Sequence, residues 1–142
     1  MNPILLDTVT VSELRKEGRM HNAVRAWQEQ LPEGETCLSV VSVMEIRMGH
    51  LRVLNKDPVF AKRIELWLET IVLPLFENRL FQLDLAIAKE AAGMRIVHGL
   101  SPNDSLIAAT AKVHNLTLAT RNTSDFAKSG IGLVNPWDFV EK

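Results

Sequence analysis

Ser101-Pro102-Asn103-Asp104-Ser105-Leu106-Ile107-Ala108-Ala109-Thr110-Ala111-Lys112-Val113-His114-Asn115-Leu116-Thr117-Leu118-Ala119-Thr120 reads as a helix running straight into a strand. Ser101 suits an N-cap, where its hydroxyl accepts an unpaired backbone N–H, and Pro102 suits the first helical position. Asp104 places a negative charge in the first turn, at the positive end of the helix. Leu106, Ile107, Ala109, Ala111 and Val113 carry the helix to Asn115, and Leu116 to Thr120 form an apolar, β-prone run. A strand entered from a helix rather than from a tight hairpin belongs to a crossover connection, and so to a parallel sheet.

The same alternation extends outward. Ile4-Leu5-Leu6, bounded by Pro3 and Asp7, is a first buried strand. Thr10-Val11-Ser12-Glu13 has capping-box spacing and predicts a helix from Thr10 to about Arg15. A helix is expected from His21 to Gln30, ahead of Pro32-Glu33-Gly34, then a strand from Thr36 to Val41. Ser42-Val43-Met44-Glu45 is another capping-box pattern, opening a helix to about Leu54. Phe60, Ile64, Trp67, Leu68 and Ile71 recur at helical spacing from Val59 to Leu73, with Pro74 as the expected stop. Leu80 to Leu83 is a strand candidate, Asp84 to His98 an alanine-rich helix, and Ile131 to Val134 a last short strand. The whole reads as one α/β domain over residues 1–142, a parallel sheet with helices on both faces.

Composition bounds the function. The chain has 142 residues, 46% hydrophobic and 23% charged, with a net charge of −1, which argues against coating nucleic acid by bulk electrostatics. No apolar run approaches the roughly 20 residues that span a bilayer, and Met1-Asn2-Pro3 offers no basic signal-peptide start. The single cysteine, Cys37, lies in an apolar strand and predicts a buried, inert thiol, at home in a reducing cytoplasm. The four histidines lack zinc-binding spacing, and nucleophile-elbow, Walker and dinucleotide motifs are missing from the sequence.

Four acids carry the chemistry. Asp7, Glu45, Asp104 and Asp125 each stand at the edge of an apolar segment, and a parallel α/β sheet brings such edges to one rim. Each also has a structural explanation: Glu45 completes a capping box, Asp104 favours a helix dipole, Asp7 ends a strand, and Asp125 precedes Phe126. Gathered together, they would repel by about 4 kcal/mol per close pair at an effective dielectric near 20. A bound divalent cation relieves that repulsion, and hard oxygen donors suit Mg²⁺, with Mn²⁺ as the substitute. Carboxylate-held cations can activate water and stabilise charge on a phosphodiester. With these four acids neutralised the rest of the chain is net positive, which leaves nucleic acid open as a substrate.

Leu5-Leu6-Asp7-Thr8, Ser42-Val43-Met44-Glu45-Ile46-Arg47-Met48-Gly49, Pro102-Asn103-Asp104-Ser105-Leu106-Ile107-Ala108-Ala109-Thr110-Ala111 and Thr120-Arg121-Asn122-Thr123-Ser124-Asp125-Phe126, in that order, closely resemble the PIN-domain family. Within it they look most like the VapC- and FitB-like toxins of bacterial type II toxin–antitoxin modules. The match runs from Ile4 to Trp137, nearly the whole chain. The resemblance implies a three-layer α/β/α sandwich with a central, mainly parallel sheet. It implies a Mg²⁺-dependent endoribonuclease acting on RNA, inhibited by a cognate antitoxin that binds operator DNA, so that DNA is met only through the antitoxin. A homodimer or higher assembly is implied as well.

Carried over by position, Asp7 and Asp104 are metal ligands, Glu45 is the pocket's second acid and Asp125 the fourth. Thr8, Thr120 and Asn122 are polar supports. One departure stands out: where the family usually has asparagine two residues after the first aspartate, this chain has Val9. Loss of that amide motivates a second reading, a catalytically weakened PIN-like binding module that complexes a DNA-binding antitoxin. A phosphoacceptor domain, the third option, lacks the acid pair after strand one and the lysine at the far strand. Arg47, Arg95, Lys112 and Arg121 lie near these blocks, with solvated surface charge as their default. The stripe of Phe60, Ile64, Trp67 and Met48 is explained first by core packing.

Overall fold

The computed structural model describes residues 3–141. Five strands and eight helices alternate: β1 (Ile4–Leu6), α1 (Thr8–Glu13), α2 (Asn22–Glu29), β2 (Thr36–Ser39), α3 (Val40–Val53), α4 (Pro58–Trp67), α5 (Leu73–Leu75), β3 (Leu80–Phe81), α6 (Leu85–Ile96), α7 (Pro102–Val113), β4 (Thr117–Ala119), α8 (Thr123–Phe126) and β5 (Gly132–Val134). The sheet order is β3-β2-β1-β4-β5. Every pairing is parallel, with Leu5 opposite Cys37 on one side and Leu118 on the other.

Strand alternation divides the core into two layers. Ile4, Leu6, Leu38 and Ala119 pack with Val11, Trp27, Ile46, Ile64, Leu68 and Val72 of the first helices. The intervening Leu5, Cys37 and Leu118 pack with Met94, Ile107, Ala108 and Ala111 of α6 and α7. Because successive strand residues point to opposite faces, three-residue β1 is buried throughout and anchors both layers. The result is the α/β/α sandwich that the sequence blocks imply. Among the described residues no helix is long and apolar enough to cross a membrane.

The chain order explains where the rim opens. From β1 the chain moves outward through β2 to β3, then returns across the sheet to β4 and β5 on the far side of β1. β1 and β4 are therefore neighbours whose connections leave in opposite directions. The crevice beyond their carboxyl ends is a topological switch point.

Four local expectations are corrected. The first helix begins at Thr8, because Asp7 rather than Thr10 is its N-cap. The second strand stops at Ser39, whose hydroxyl accepts the Val41 N–H, so Val40 and Val41 already belong to α3 and Ser42 is no cap. Glu45 consequently lies in the second turn of α3, free of the capping role its spacing suggests. Pro74 does not stop its helix: a π-helical turn, Leu68–Val72, follows α4 and leads into α5, which contains Pro74. Wide turns of this kind let a helix absorb a residue that offers no N–H. Ser101 caps α7 with Pro102 in its first turn, as the sequence requires.

Candidate functional site

Asp7 is fixed from three directions. Its Oδ1 accepts the Thr10 N–H at 2.8 Å and the Thr10 hydroxyl at 2.7 Å. Its own N–H donates to the Ala119 carbonyl at 3.1 Å, and the Thr10 hydroxyl also lies 3.0 Å from that carbonyl. Thr10 is fully buried and Asp7 nearly so, which locks the end of β1 and the start of α1 against the end of β4. Among the described residues no hydrogen bond reaches Asp7 Oδ2, so one oxygen of this carboxylate remains for a ligand.

Glu45 arrives from α3, which packs beside α1, and is also engaged. Thr8 donates its hydroxyl to Glu45 Oε1 at 2.6 Å, and the Thr8 oxygen lies 2.9 Å from the Ser42 hydroxyl. Ser42 is fully buried, whereas Thr8 and Glu45 are half-buried.

Asp104 sits in the first turn of α7, supported by Ser101, whose Oγ accepts its N–H at 3.4 Å. Burial pushes the Asp104 carboxyl above its ordinary range, the nearby charges of Glu45, Asp7 and Asp125 push it further, and Ser101 opposes them. Helix-dipole stabilisation alone predicts a shift in the other direction. Burial leads this shift, and the charges of the neighbouring acids add to it in the same direction.

A small pocket of about 70 Å³ collects Asp7, Thr8, Glu45, Asp104 and Asn122 on its polar wall and Val9, Ile107 and Phe126 on its apolar wall. Asp125 does not line it. Instead it lines an adjoining depression of about 350 Å³ with His98, Ser101 and Asp104, so that Asp104 faces both hollows. Larger hollows of about 520 and 390 Å³ lie around Leu31 and Pro32, but no group of acids converges on either. Chemistry, not size, singles out the small pocket.

Thr120 is a correction of another kind. It is fully buried and outside the pocket lining, and its Oγ1 accepts the Asn122 N–H at 3.1 Å, so it shapes the loop that presents Asn122. Ile107 and Phe126 were legible only as core residues, and Ser42 only as a cap. No sequence signal separates a core residue from one that also walls a pocket.

The oxygen donors match Mg²⁺ or Mn²⁺ by type. Their grouping is incomplete: among the described residues, no three Asp, Glu, His or Cys side chains stand together so as to hold one ion. Three of the four basic residues near the motifs are engaged at the surface. Arg47 pairs with Glu65 at 3.5 Å and Lys112 with Glu90 at 3.0 Å, while Arg121 lies over the Trp137 ring at 5.2 Å. Phe60, Ile64 and Trp67 pack into the core, and Met48 is exposed.

A family model described as PIN domain matches residues 4–130. Toxin FitB of Neisseria gonorrhoeae is 39% identical over 142 residues, covering 94% of this chain and 98% of that protein. VapC ribonuclease Y4jK of Sinorhizobium fredii is 33% identical, covering 95% and 98% respectively. A solved structure of FitAB bound to an IR36 DNA fragment contains a chain that superposes with a TM-score of 0.81 at 34% identity, covering 97% of this chain and 98% of that one.

Proposed function

Because the chain belongs to the PIN-domain family, alongside the VapC- and FitB-like toxins of type II toxin–antitoxin modules, we propose that it complexes a DNA-binding antitoxin and carries a weakened metal-dependent ribonuclease site on its acidic rim. The observation that carries this reading is the state of the acids. Asp7, Glu45 and Asp104 line one pocket and Asp125 the hollow beside it, yet among the described residues no three of them stand grouped for one ion. Val9, 48% exposed on the pocket wall, puts a methyl-bearing side chain where a polar partner for Asp7 would help.

The antitoxin half draws support from the likeness to a chain of the DNA-bound FitAB complex. The net charge of −1 fits a subunit that leaves DNA contact to its partner. In the ribonuclease half, Asp7 Oδ2 and Asp104 would hold the cation, joined by Glu45 once its carboxylate turns toward them. Mg²⁺ or Mn²⁺ there would supply positive charge and lower the pKa of a bound water. Asn122 offers an amide at the pocket edge to orient a phosphate, while Val9, Ile107 and Phe126 exclude bulk water from one side. Asp125, facing the adjoining depression, would act on the strand beyond Asp104.

One observation favours a second reading, a full-strength Mg²⁺-dependent endoribonuclease toxin. Mutual repulsion at Asp104 is the field that cation capture relieves. RNA cleavage by the chain alone in Mg²⁺ separates the two readings. Weak cleavage, with operator DNA shifted only when the product of a neighbouring antitoxin frame is added, supports the proposal. Fast cleavage by the isolated wild type favours the second reading, and failure to complex any such antitoxin removes the first.

A further inference from the structure

Thr8 stands between a buried serine and a pocket acid, and its hydrogen can go only one way. An ionised carboxylate accepts and cannot donate, so the single Thr8 hydroxyl hydrogen is committed to Glu45 Oε1 at 2.6 Å. The Thr8 oxygen must then accept from Ser42, 2.9 Å away, and Ser42 has no solvent exposure through which water could replace it. The chain Ser42 to Thr8 to Glu45 is thus a directed relay in which each donor strengthens the next. It ties α3 to the first residue of α1 and takes up part of the Glu45 charge. With the relay closed, Asp7, Glu45 and Asp104 line one pocket but do not form a three-ligand group.

We infer that the Ser42–Thr8 relay is a latch on Glu45: it holds the carboxylate turned so that the three acids do not group around one ion, and the pocket completes its ligand set only when the Thr8 hydrogen bond opens. Thr8 is therefore a positioning residue that restrains affinity. The inference rests on the proposed metal site and specifies what controls it.

Mn²⁺ titrated calorimetrically into the full chain tests this without reference to catalysis, using wild type, Thr8→Val, Thr8→Ser, Ser42→Ala and Asp104→Asn. Valine has nearly the shape of threonine without its hydroxyl, and circular dichroism checks that each variant is folded. A charge-assisted hydrogen bond at a half-buried position implies roughly fivefold to tenfold tighter Mn²⁺ binding in Thr8→Val. Thr8→Ser restores the wild-type constant, and Ser42→Ala falls between the two. Weaker or unchanged binding in Thr8→Val, while Asp104→Asn still abolishes it, overturns the latch and leaves the metal site standing. Binding absent from the wild type and Thr8→Val, or indifferent to Asp104→Asn, overturns the latch together with the metal-site reading.

Discussion

At the β1–α1 junction the pocket acid is buried and tied to Thr10 and to the end of β4, whereas at the N-terminus of α7 the pocket acid has only Ser101 for support and faces three other carboxylates. Asp7 holds the fold together as well as presenting an oxygen. Asp104 is half-buried, and burial first, then the charges of its neighbours, make its ionised form costly. Two aspartates on one pocket wall thus differ in role, one supplying rigidity and the other a destabilised charge that a cation in the proposed site would relieve. A site built this way can lose catalytic strength through its tied members and still keep its shape.

The contrast breaks if both aspartates respond alike to substitution. Asp7→Ala removes an N-cap and the partner of the buried Thr10, and about 2 kcal/mol of unfolding free energy should disappear in urea denaturation. A loss under about 0.5 kcal/mol would show that the junction does not depend on Asp7. Next in size, Val9→Asn places an amide beside Asp7, and RNA cleavage in Mg²⁺ should rise by about tenfold. An unchanged rate would mean that Val9 is not what weakens the site.

A smaller effect sharpens the other side. The Asp104 carboxyl is raised in the folded chain, so the native state binds this proton more tightly than the unfolded state. Its contribution to stability is therefore greatest at low pH and is lost as pH rises through the raised value. Relative to Asp104→Asn, the cation-free wild type should lose stability as pH rises from the ordinary aspartate range towards neutrality. Denaturant titrations across that range that give parallel curves for the two proteins would contradict the assignment. The smallest expected signal is at Cys37, where burial pushes the thiol up to about 11. The folded chain should resist alkylation at mildly alkaline pH until denaturant is added, with mass spectrometry as the readout.

Much of this architecture could be read from local pattern. The apolar run Ile4-Leu5-Leu6 between Pro3 and Asp7, and the unit from Ser101 through Thr120, are strong because capping, helical period and strand propensity agree there. Two of the corrected boundaries share one cause: two residues compete for the same cap. Thr10-Val11-Ser12-Glu13 carries a capping-box signature, but Asp7 wins because the end of β4 holds it where it can reach the Thr10 N–H. Ser39 displaces Ser42 in the same way at the end of β2. Pro74 was misread because a π turn depends on how α4 packs. The sequence reads the four acids as one set at the rim, and the structure places Asp7, Glu45 and Asp104 on one small pocket with Asp125 on the hollow beside it. That Asp125 faces the neighbouring hollow, and that Glu45 is held by Thr8, depends on side-chain direction, which residue spacing does not encode.

The central claim is that the rim acids form a cation-dependent phosphodiesterase site, however weakened. It is tested most directly by incubating the purified chain and its Asp104→Asn variant with single-stranded RNA in Mg²⁺ and in a chelator. The account expects slow cleavage by the wild type in Mg²⁺, and only background from the variant and from the chelated sample. Cleavage that survives both the chelator and Asp104→Asn would contradict it.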